Sequence, residues 1–464
     1  MNLNPIVIAG REILPVIEGG KGINVSTGLT SGIWASMGGM GTFSGVNPDF
    51  YGKDGRYEKP EFCGQTREAR QKELIDYGIR GCLDQAGIAH EESNGRGMIA
   101  MNILWEQGGS QPLLEGALSR AKGIIKSISC GAGMPFRLAD IAARHKVFYN
   151  PIISSVRVLQ LLWKRSFSRF KEWIGAVIYE DPWLAGGHNG LSNSENPLEP
   201  QKPFSRVLEI RRFMNEVGLK TVPIIVAGGI WWLSEWTDYM NNPDLGPIGF
   251  QFGSRPMVTV ESPLGDNIKK KLMNAERGSV KLQKFSPTGL YSSAVHNAFL
   301  RDLEDALTRQ IPFVEISDKG IGFDLPVELS ATGKTVYISQ GDKGRMAEYL
   351  ATGYDKMLKT PSNTLLFVPE RKYNVIMGDW KNCVGCLSGC LFSGWSQRGT
   401  PGQADPRSFC IQRSLQEISH GNDAENSLLF SGQIVWRFKE DPFYQNGAFI
   451  PTVRQLFERI LTGY

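Results

Sequence analysis

Eight short apolar runs, separated by segments with helical spacing, constrain the fold of this chain more than any other feature. Each run is continuously apolar, which is typical of strands in a parallel sheet with both faces covered. Eight strand–helix units within about 250 residues match the size of a (β/α)8 or TIM barrel of the α/β class. A doubly wound sheet is the alternative. The predicted strands are residues 13–17, 41–44, 98–103, 124–129, 147–153, 173–179, 222–226 and 248–252.

The strand–helix alternation stops near residue 276, and the chain changes character there. We therefore predict a barrel over residues 1–275. Residues 276–464 are predicted to form an appended, mainly helical subdomain that contains a Cys-rich segment. A polar insertion, residues 48–70, interrupts the barrel and is a candidate lid or subunit contact.

Composition narrows the class of protein. The net charge of +4 is small for 464 residues and the basic residues form no long block, which argues against a nucleic-acid partner. No window of about 18 uninterrupted apolar residues is present, so the sequence predicts no membrane span. The first residues lack the basic lead of a secretory signal, and the odd number of cysteines does not suit a secreted disulfide framework. We expect a cytoplasmic protein that acts on a small molecule.

A glycine-rich loop around a histidine follows the predicted strand 173–179. Gly186, Gly187 and Gly190 allow the backbone to approach a flat or phosphorylated ligand, because no Cβ atom intervenes. His188 lies in the same loop and carries a side chain that titrates near neutral pH. This arrangement makes His188 the candidate catalytic base.

Two further glycine loops follow the seventh and eighth predicted strands. Ala227, Gly228 and Gly229 follow the seventh strand, and Gly253 and Ser254 follow the eighth. In a TIM barrel the phosphate of a ligand usually binds at these two loops. Glycine N–H groups at helix starts favour a phosphate dianion. The loops therefore predict a phosphate site, with tight strand–helix packing as the alternative.

Polar residues near the ends of other strands add candidates. Gly19, Gly20 and Lys21 follow the first strand, where they would wrap a cofactor ring or form an ordinary turn. Asn102 and Gln251 place amides inside the third and eighth apolar runs. A buried amide needs hydrogen-bond partners. A ligand or the neighbouring backbone would supply them.

Together these motifs resemble the nitronate monooxygenase family, formerly called 2-nitropropane dioxygenases. The family comprises FMN enzymes on a TIM barrel and is related to FMN-dependent enoyl-ACP reductases. The resemblance covers about the first 300 residues. Its segments are residues 15–21, 185–190, 227–230, 251–255 and the turn 286–290.

The resemblance implies an FMN cofactor and a role for each candidate. Asn102 would meet the polar edge of the flavin, Gly187 would pack near its isoalloxazine, and His188 would be the catalytic base or proton donor. The residues along the flavin would be Gly19, Gly20 and Lys21. The phosphate would be held by Gly228, Gly229, Gly253 and Ser254. Ala227 and Gln251 would make further contacts with the cofactor.

Two departures from the family pattern stand out. Gly19, Gly20 and Lys21 replace the Ala-Pro-Met of many members. Trp183 precedes the histidine motif where smaller or acidic residues are usual. A side chain of that size is expected to reshape the substrate pocket.

The activity implied by the resemblance is oxidation of nitronates or nitroalkanes by O2 to a carbonyl compound and nitrite. One alternative is an NAD(P)H-dependent FMN reductase that acts on an enoyl thioester. A second alternative is a non-catalytic flavin-barrel component of a larger complex. The redox partner is O2 for the monooxygenase and NAD(P)H for the reductase. The sequence is compatible with a homo-oligomer.

Four cysteines of the extension form a separate candidate site. Cys383, Cys386 and Cys390 lie in one loop-like stretch, and Cys410 follows. The spacing suits a metal ion or an iron–sulfur cluster. It resembles the iron–sulfur run of some barrel-type flavin dienoyl reductases. Zinc is one alternative, and a set of reduced, partly buried thiols is another.

Overall fold

The computed structural model describes residues 1, 3–121, 123–330, 332–397 and 399–464. Eight parallel strands close into a ring in chain order, which confirms the predicted barrel. The eighth strand pairs with the first, Phe250 opposite Val16 and Phe252 opposite Glu18. Each strand overlaps a predicted run. The strands are Val16–Glu18, Met40–Ser44, Met98–Leu104, Ser127–Gly131, Phe148–Ile153, Val177–Glu180, Ile224–Ala227 and Ile248–Phe252.

A short antiparallel hairpin precedes the barrel. Its strands are Ile6–Ile8 and Arg11–Ile13. Their isoleucines pack with inward-facing barrel residues such as Ile17, Met40 and Ile225 in one buried cluster. The hairpin therefore completes the inner core of the barrel with apolar side chains.

Helices form the outer layer around the strands. Thr27 begins the first helix with a reciprocal capping box, in which its Oγ1 accepts from the Thr30 N–H at 3.2 Å. A short 3₁₀ helix, Leu233–Trp236, follows the seventh strand. No helix of the described residues is long and apolar enough to cross a membrane. The α-helices of this layer are Gly28–Ser36, Arg67–Glu92, Ser110–Arg120, Leu138–His145, Val156–Arg165, Pro203–Glu216, Ser254–Met257 and Asp266–Met273.

The last helix of the chain, Val453–Leu461, returns to the barrel. Leu456 and Phe457 are fully buried and belong to the main core cluster. The ring of Phe457 meets the ring of Trp34 edge-on at 5.2 Å. The C-terminal helix thus covers part of the barrel beside the helix Gly28–Ser36.

The extension contains a five-stranded antiparallel sheet in addition to the predicted helices. This sheet has its own apolar core, which includes Ile311, Val336 and Phe367. In sheet order its strands are Phe323–Glu328, Thr335–Ser339, Gln310–Val314, Thr364–Val368 and Lys356–Lys359. The remaining strands are Val280–Gln283, Ser292–Val295, Gly389–Cys390 and Trp395–Ser396. The α-helices are Ala298–Thr308, Lys343–Ala351, Glu370–Lys381, Ile411–His420 and Arg437–Glu440, besides the C-terminal helix, and the 3₁₀ helices are Gln340–Asp342 and Pro442–Gly447.

The polar insertion, residues 48–70, packs against the extension of the same chain. The ring of Tyr57 stacks on His420 at 4.2 Å, and Nε2 of His420 lies 3.0 Å from Oδ1 of Asp49. Arg70 donates from Nε to the Cys383 carbonyl at 3.0 Å. The insertion therefore joins the barrel to the extension.

Candidate active site

One cavity of about 240 Å³ opens at the carboxyl ends of the barrel strands. The structure brings all the predicted catalytic and cofactor-binding residues to this cavity, although their roles stay predictions. The four cysteines do not line it. The predicted residues at the cavity are Gly19, Gly20, Lys21, Asn102, Gly187, His188, Ala227, Gly228, Gly229, Gln251, Gly253 and Ser254.

The loop after the first strand lies directly on the third strand. A Cβ atom built on Gly20 would stand 2.2 Å from the Cβ of Asn102, so this close approach requires glycine. Asn102 donates from Nδ2 to the Ser129 carbonyl at 3.3 Å. Its Oδ1 accepts no hydrogen bond from the described residues and remains available to a ligand.

Lys21 is a half-buried ionisable residue at the wall of the cavity. Its Nζ donates to the Gly19 carbonyl at 2.6 Å and lies 3.6 Å from Oε1 of Glu18. Glu18 in turn accepts from the hydroxyls of Thr30 and Ser31 at 3.0 and 2.9 Å. Burial lowers the pKa of Lys21, and the charge of Glu18 opposes that shift. The carboxylate thus supports a positive charge on Lys21.

The two glycine loops leave bare backbone around a recess of the cavity. Gly228 and Gly229 have φ angles of +89° and +76°, which glycine adopts without strain. No atom lies within 4 Å of a Cβ built on Gly253, so this backbone faces open space. Oγ of Ser254 accepts from the Gly432 N–H at 3.1 Å, which ties the recess to the extension.

His188 is fixed by the extension. Gly187 and His188 form a short strand that pairs with Ser293 and Ser292. Nε2 of His188 lies 2.6 Å from Oγ of Ser286, in the turn 286–290 that the resemblance singled out. Burial lowers the pKa of His188 to about 4. The imidazole is therefore neutral at neutral pH and can accept a proton.

Trp183 does not reshape the cavity, and that expectation was wrong. Its side chain is buried, donates from Nε1 to the Asn196 carbonyl at 3.1 Å and lies under the Arg206 guanidinium. The cause is the turn that follows the sixth strand. Oδ1 of Asp181 accepts from the N–H groups of Trp183 and Leu184 at 3.0 and 2.9 Å. This turn directs the indole away from the cavity.

Glu180 is a cavity residue that the sequence analysis missed. It ends the sixth strand opposite Ala227 and lines the cavity. No described residue donates a hydrogen bond to its carboxyl group. Burial, with a contribution from the charge of Asp181, raises the pKa of Glu180 to about 8. The sequence did contain a signal for it, because Glu180 is a polar residue directly after an apolar strand run. Asn102 and Gln251 were identified from their positions in such runs.

The four cysteines gather outside the cavity. Burial raises the pKa of Cys386, and the neighbouring Cys410, Cys390 and Cys383 add to the shift. Burial also raises the pKa of Cys390 and of Cys410. Within the described part of the chain, no three His, Cys, Asp or Glu side chains are arranged to hold a metal ion. The metal centre stays a prediction of the sequence alone.

The closed barrel, with its glycine-lined cavity at the carboxyl ends of the strands, is the architecture of (β/α)8 enzymes, whose active sites lie at that end of the barrel. A family model described as nitronate monooxygenase matches residues 116–364. Because the match covers more than half of the chain, the protein belongs to this family. It is an FMN-dependent oxidoreductase. The match includes His188 and both glycine loops. Residues 15–21 and Asn102 lie outside the match. At its other end the match reaches residue 364, whereas the sequence resemblance was expected to cover about the first 300 residues.

Two solved structures share the fold over nearly the whole chain. The enoyl reductase domain of MlnA, from the macrolactin biosynthesis cluster of Bacillus amyloliquefaciens, is 13% identical with a TM-score of 0.58. That alignment covers 97% of this chain and 93% of the MlnA chain. FabK from Thermotoga maritima is 14% identical with a TM-score of 0.51, over 97% of this chain and 92% of its own. No curated protein matches the sequence.

The raised pKa of Glu180 predicts a pH-dependent cost to stability. Its pKa rises from 4.5 unfolded to about 8 folded, so stability falls as the pH rises between these values. We expect Glu180→Gln to stabilise the apoprotein by roughly 2–4 kcal/mol at about pH 8.5, and little at about pH 4.5. Denaturant unfolding at both pH values measures this.

The exposed Glu199 provides the control for the Glu180 prediction. Glu199→Gln should change the free energy of unfolding only slightly, and by the same amount at both pH values. An effect of Glu180→Gln that is the same at both pH values would contradict the shifted pKa.

Proposed function

We propose that this enzyme is a nitronate monooxygenase, which oxidises nitronates or nitroalkanes with O2 to a carbonyl compound and nitrite. The observation that carries the proposal is the neutral, half-buried imidazole of His188, held by Ser286 at a cavity lined by the predicted flavin residues. Family membership supports the same activity.

The cavity residues fit an FMN cofactor. The bare backbone at Gly253 leaves room for a phosphate group, and the free Oδ1 of Asn102 suits a ring N–H. Lys21 would place its positive charge beside the ring or its side chain. When bound, FMN supplies the redox chemistry, and the protein positions it and its substrate.

His188 would remove the proton from the carbon next to a neutral nitro group. In the tautomer whose Nε2–H donates to Oγ of Ser286, Nδ1 is unprotonated and would accept that proton. Burial keeps the imidazole neutral before the transfer. A preformed nitronate has already lost this proton and does not need the base.

The second candidate function is NAD(P)H-dependent reduction of an enoyl thioester. The apolar side of the cavity, described below, favours it because an acyl chain would need such a surface. In that reaction His188 would donate a proton to the substrate. A non-catalytic role has no support, since the chain belongs to a family of oxidoreductases.

Anaerobic mixing separates the two candidate functions. A nitronate should bleach the visible absorption of the bound flavin within seconds, whereas NADPH and NADH should leave it unchanged. Stopped-flow absorbance records the reduction, and a saturated alkane of equal chain length is the control. Rapid bleaching by NADPH or NADH, with none by nitronates, would refute the monooxygenase and support the reductase.

His188→Ala tests the proposed base. Loss of a general base typically costs about 10²–10⁴ in rate, so kcat/KM for neutral nitroalkanes should fall by that factor. Turnover of preformed nitronates should fall much less, and bound FMN should be retained. Oxygen consumption and the flavin spectrum measure both.

The matched control for the base is His296→Ala. His296 lies outside the cavity, with Nε2 2.8 Å from Oε2 of Glu304. It should leave both activities unchanged. An equal loss with nitroalkanes and nitronates in the His188 variant would argue against proton removal by His188.

Gly253→Ala tests the phosphate recess. The new methyl group meets no protein atom within 4 Å, so the fold should tolerate it while the recess is partly filled. We expect the Kd for FMN to rise at least about tenfold, equal to about 1.4 kcal/mol. Quenching of FMN fluorescence on titration with apoprotein measures it.

The control for the recess is Gly344→Ala. Gly344 also has no atom within 4 Å of a built Cβ, but it lies in the helix Lys343–Ala351 of the extension. Its variant should bind FMN as the wild type does. Unchanged FMN affinity in the Gly253 variant would place the phosphate elsewhere.

A further inference from the structure

The cavity has two chemically different sides. The barrel contributes the glycine loops and the ionisable residues Lys21, Glu106, Glu180, His188 and Arg255. Among the described residues, none that the extension contributes to the cavity carries a charge. We call the apolar part of this side the extension wall. The name covers the seven residues Leu387, Ile411, Leu415, Ile418, Leu428, Leu429 and Phe430, and the extension's Leu290 and Ile434 also line the cavity.

One helix supplies three residues of the extension wall. Ile411, Leu415 and Ile418 lie four and three positions apart in the helix Ile411–His420, so they share one face. The other side of this helix is anchored. Arg413 donates from Nε and Nη2 to the two carboxylate oxygens of Asp379, each at 2.9 Å. This bidentate pair fixes which face of the helix meets the cavity.

The segment Leu428–Phe430 continues the extension wall to the reactive part of the cavity. The Leu429 carbonyl accepts from the Val295 N–H at 2.8 Å, which holds the segment beside the strand Ser292–Val295. The ring of Phe430 meets the His188 imidazole edge-on at 5.5 Å. The apolar surface therefore begins next to the proposed catalytic base and leads away from it.

We propose that the extension wall binds an aliphatic chain of the substrate, so that the enzyme selects long-chain over short-chain compounds. The proposal rests on the proposed function in one respect, that the reacting group lies at His188. An apolar cavity surface next to that group is stabilised by contact with methylene groups. Transfer of each methylene from water onto such a surface improves binding by up to about fourfold.

A series of straight-chain substrates tests the extension wall. For primary alkyl nitronates from ethyl to octyl, kcat/KM should rise by up to about fourfold per added methylene until the wall is covered. The second probe is a series of 1-alkanols, which contain no nitro group, titrated into the FMN-loaded enzyme by calorimetry. Their Kd values should fall with chain length in parallel.

Leu415→Phe places a larger side chain on the extension wall. It should shift the best chain length downward for both nitronates and alkanols. Gln416→Phe is the control, because Gln416 is the next residue and does not line the cavity. It should leave the chain-length dependence unchanged. The wild-type series decides the question even if the Leu415 variant fails to fold.

The two probes separate the two proposals. Alkanol affinity that rises with chain length, without turnover of any nitronate, would support the extension wall and refute the monooxygenase. Turnover of nitronates with a flat chain-length dependence in both series would refute the extension wall and leave the monooxygenase standing.

Discussion

Two backbone pairs between the barrel and the extension position the loop that carries His188. His188 pairs with Ser292, and Gly187 pairs with Ser293. Buried backbone groups must find hydrogen-bond partners, and here the partners of the loop after the sixth strand come from the extension. The same strand of the extension leads back to the turn that carries Ser286 against the imidazole. The loop that carries His188 is therefore positioned by residues about 100 positions further along the chain.

Burial determines the charge of the cavity at neutral pH. It keeps His188 neutral and Glu180 largely protonated, because desolvation is the largest effect on both groups and no charged partner among the described residues offsets it. Lys21 differs, since Glu18 lies behind it and supports its charge. Such groups lower the stability of a fold and are typical of functional sites.

Much of this architecture could be predicted from the sequence, because continuous apolar runs mark buried parallel strands. The first run, residues 13–17, nevertheless spans the end of the hairpin strand Arg11–Ile13 and the start of Val16–Glu18. A continuous apolar run does not show where the chain leaves the hairpin and enters the barrel sheet. The strand Phe323–Glu328 was missed because it contains two acidic residues and a proline, which do not form a strand pattern.

The glycine loops were found for a physical reason, since close backbone approach and positive φ angles restrict a position to glycine. The extension wall could not be found in this way. The spacing of Ile411, Leu415 and Ile418 predicts an apolar face, but every amphipathic helix has one. What that face meets depends on the Arg413–Asp379 pair and on packing against a barrel far away in sequence.

Phe430 links the proposed catalytic base to the extension wall. Its ring packs against His188 and also lines the apolar side of the cavity. Its backbone bridges to Ala294, in the strand that pairs with the catalytic loop. A substitution at Phe430 would therefore disturb the imidazole and the extension wall together, and we expect it to change both the rate and the chain-length preference. In a barrel without this extension, the loop after the sixth strand would need another support, and the cavity would lack its apolar side.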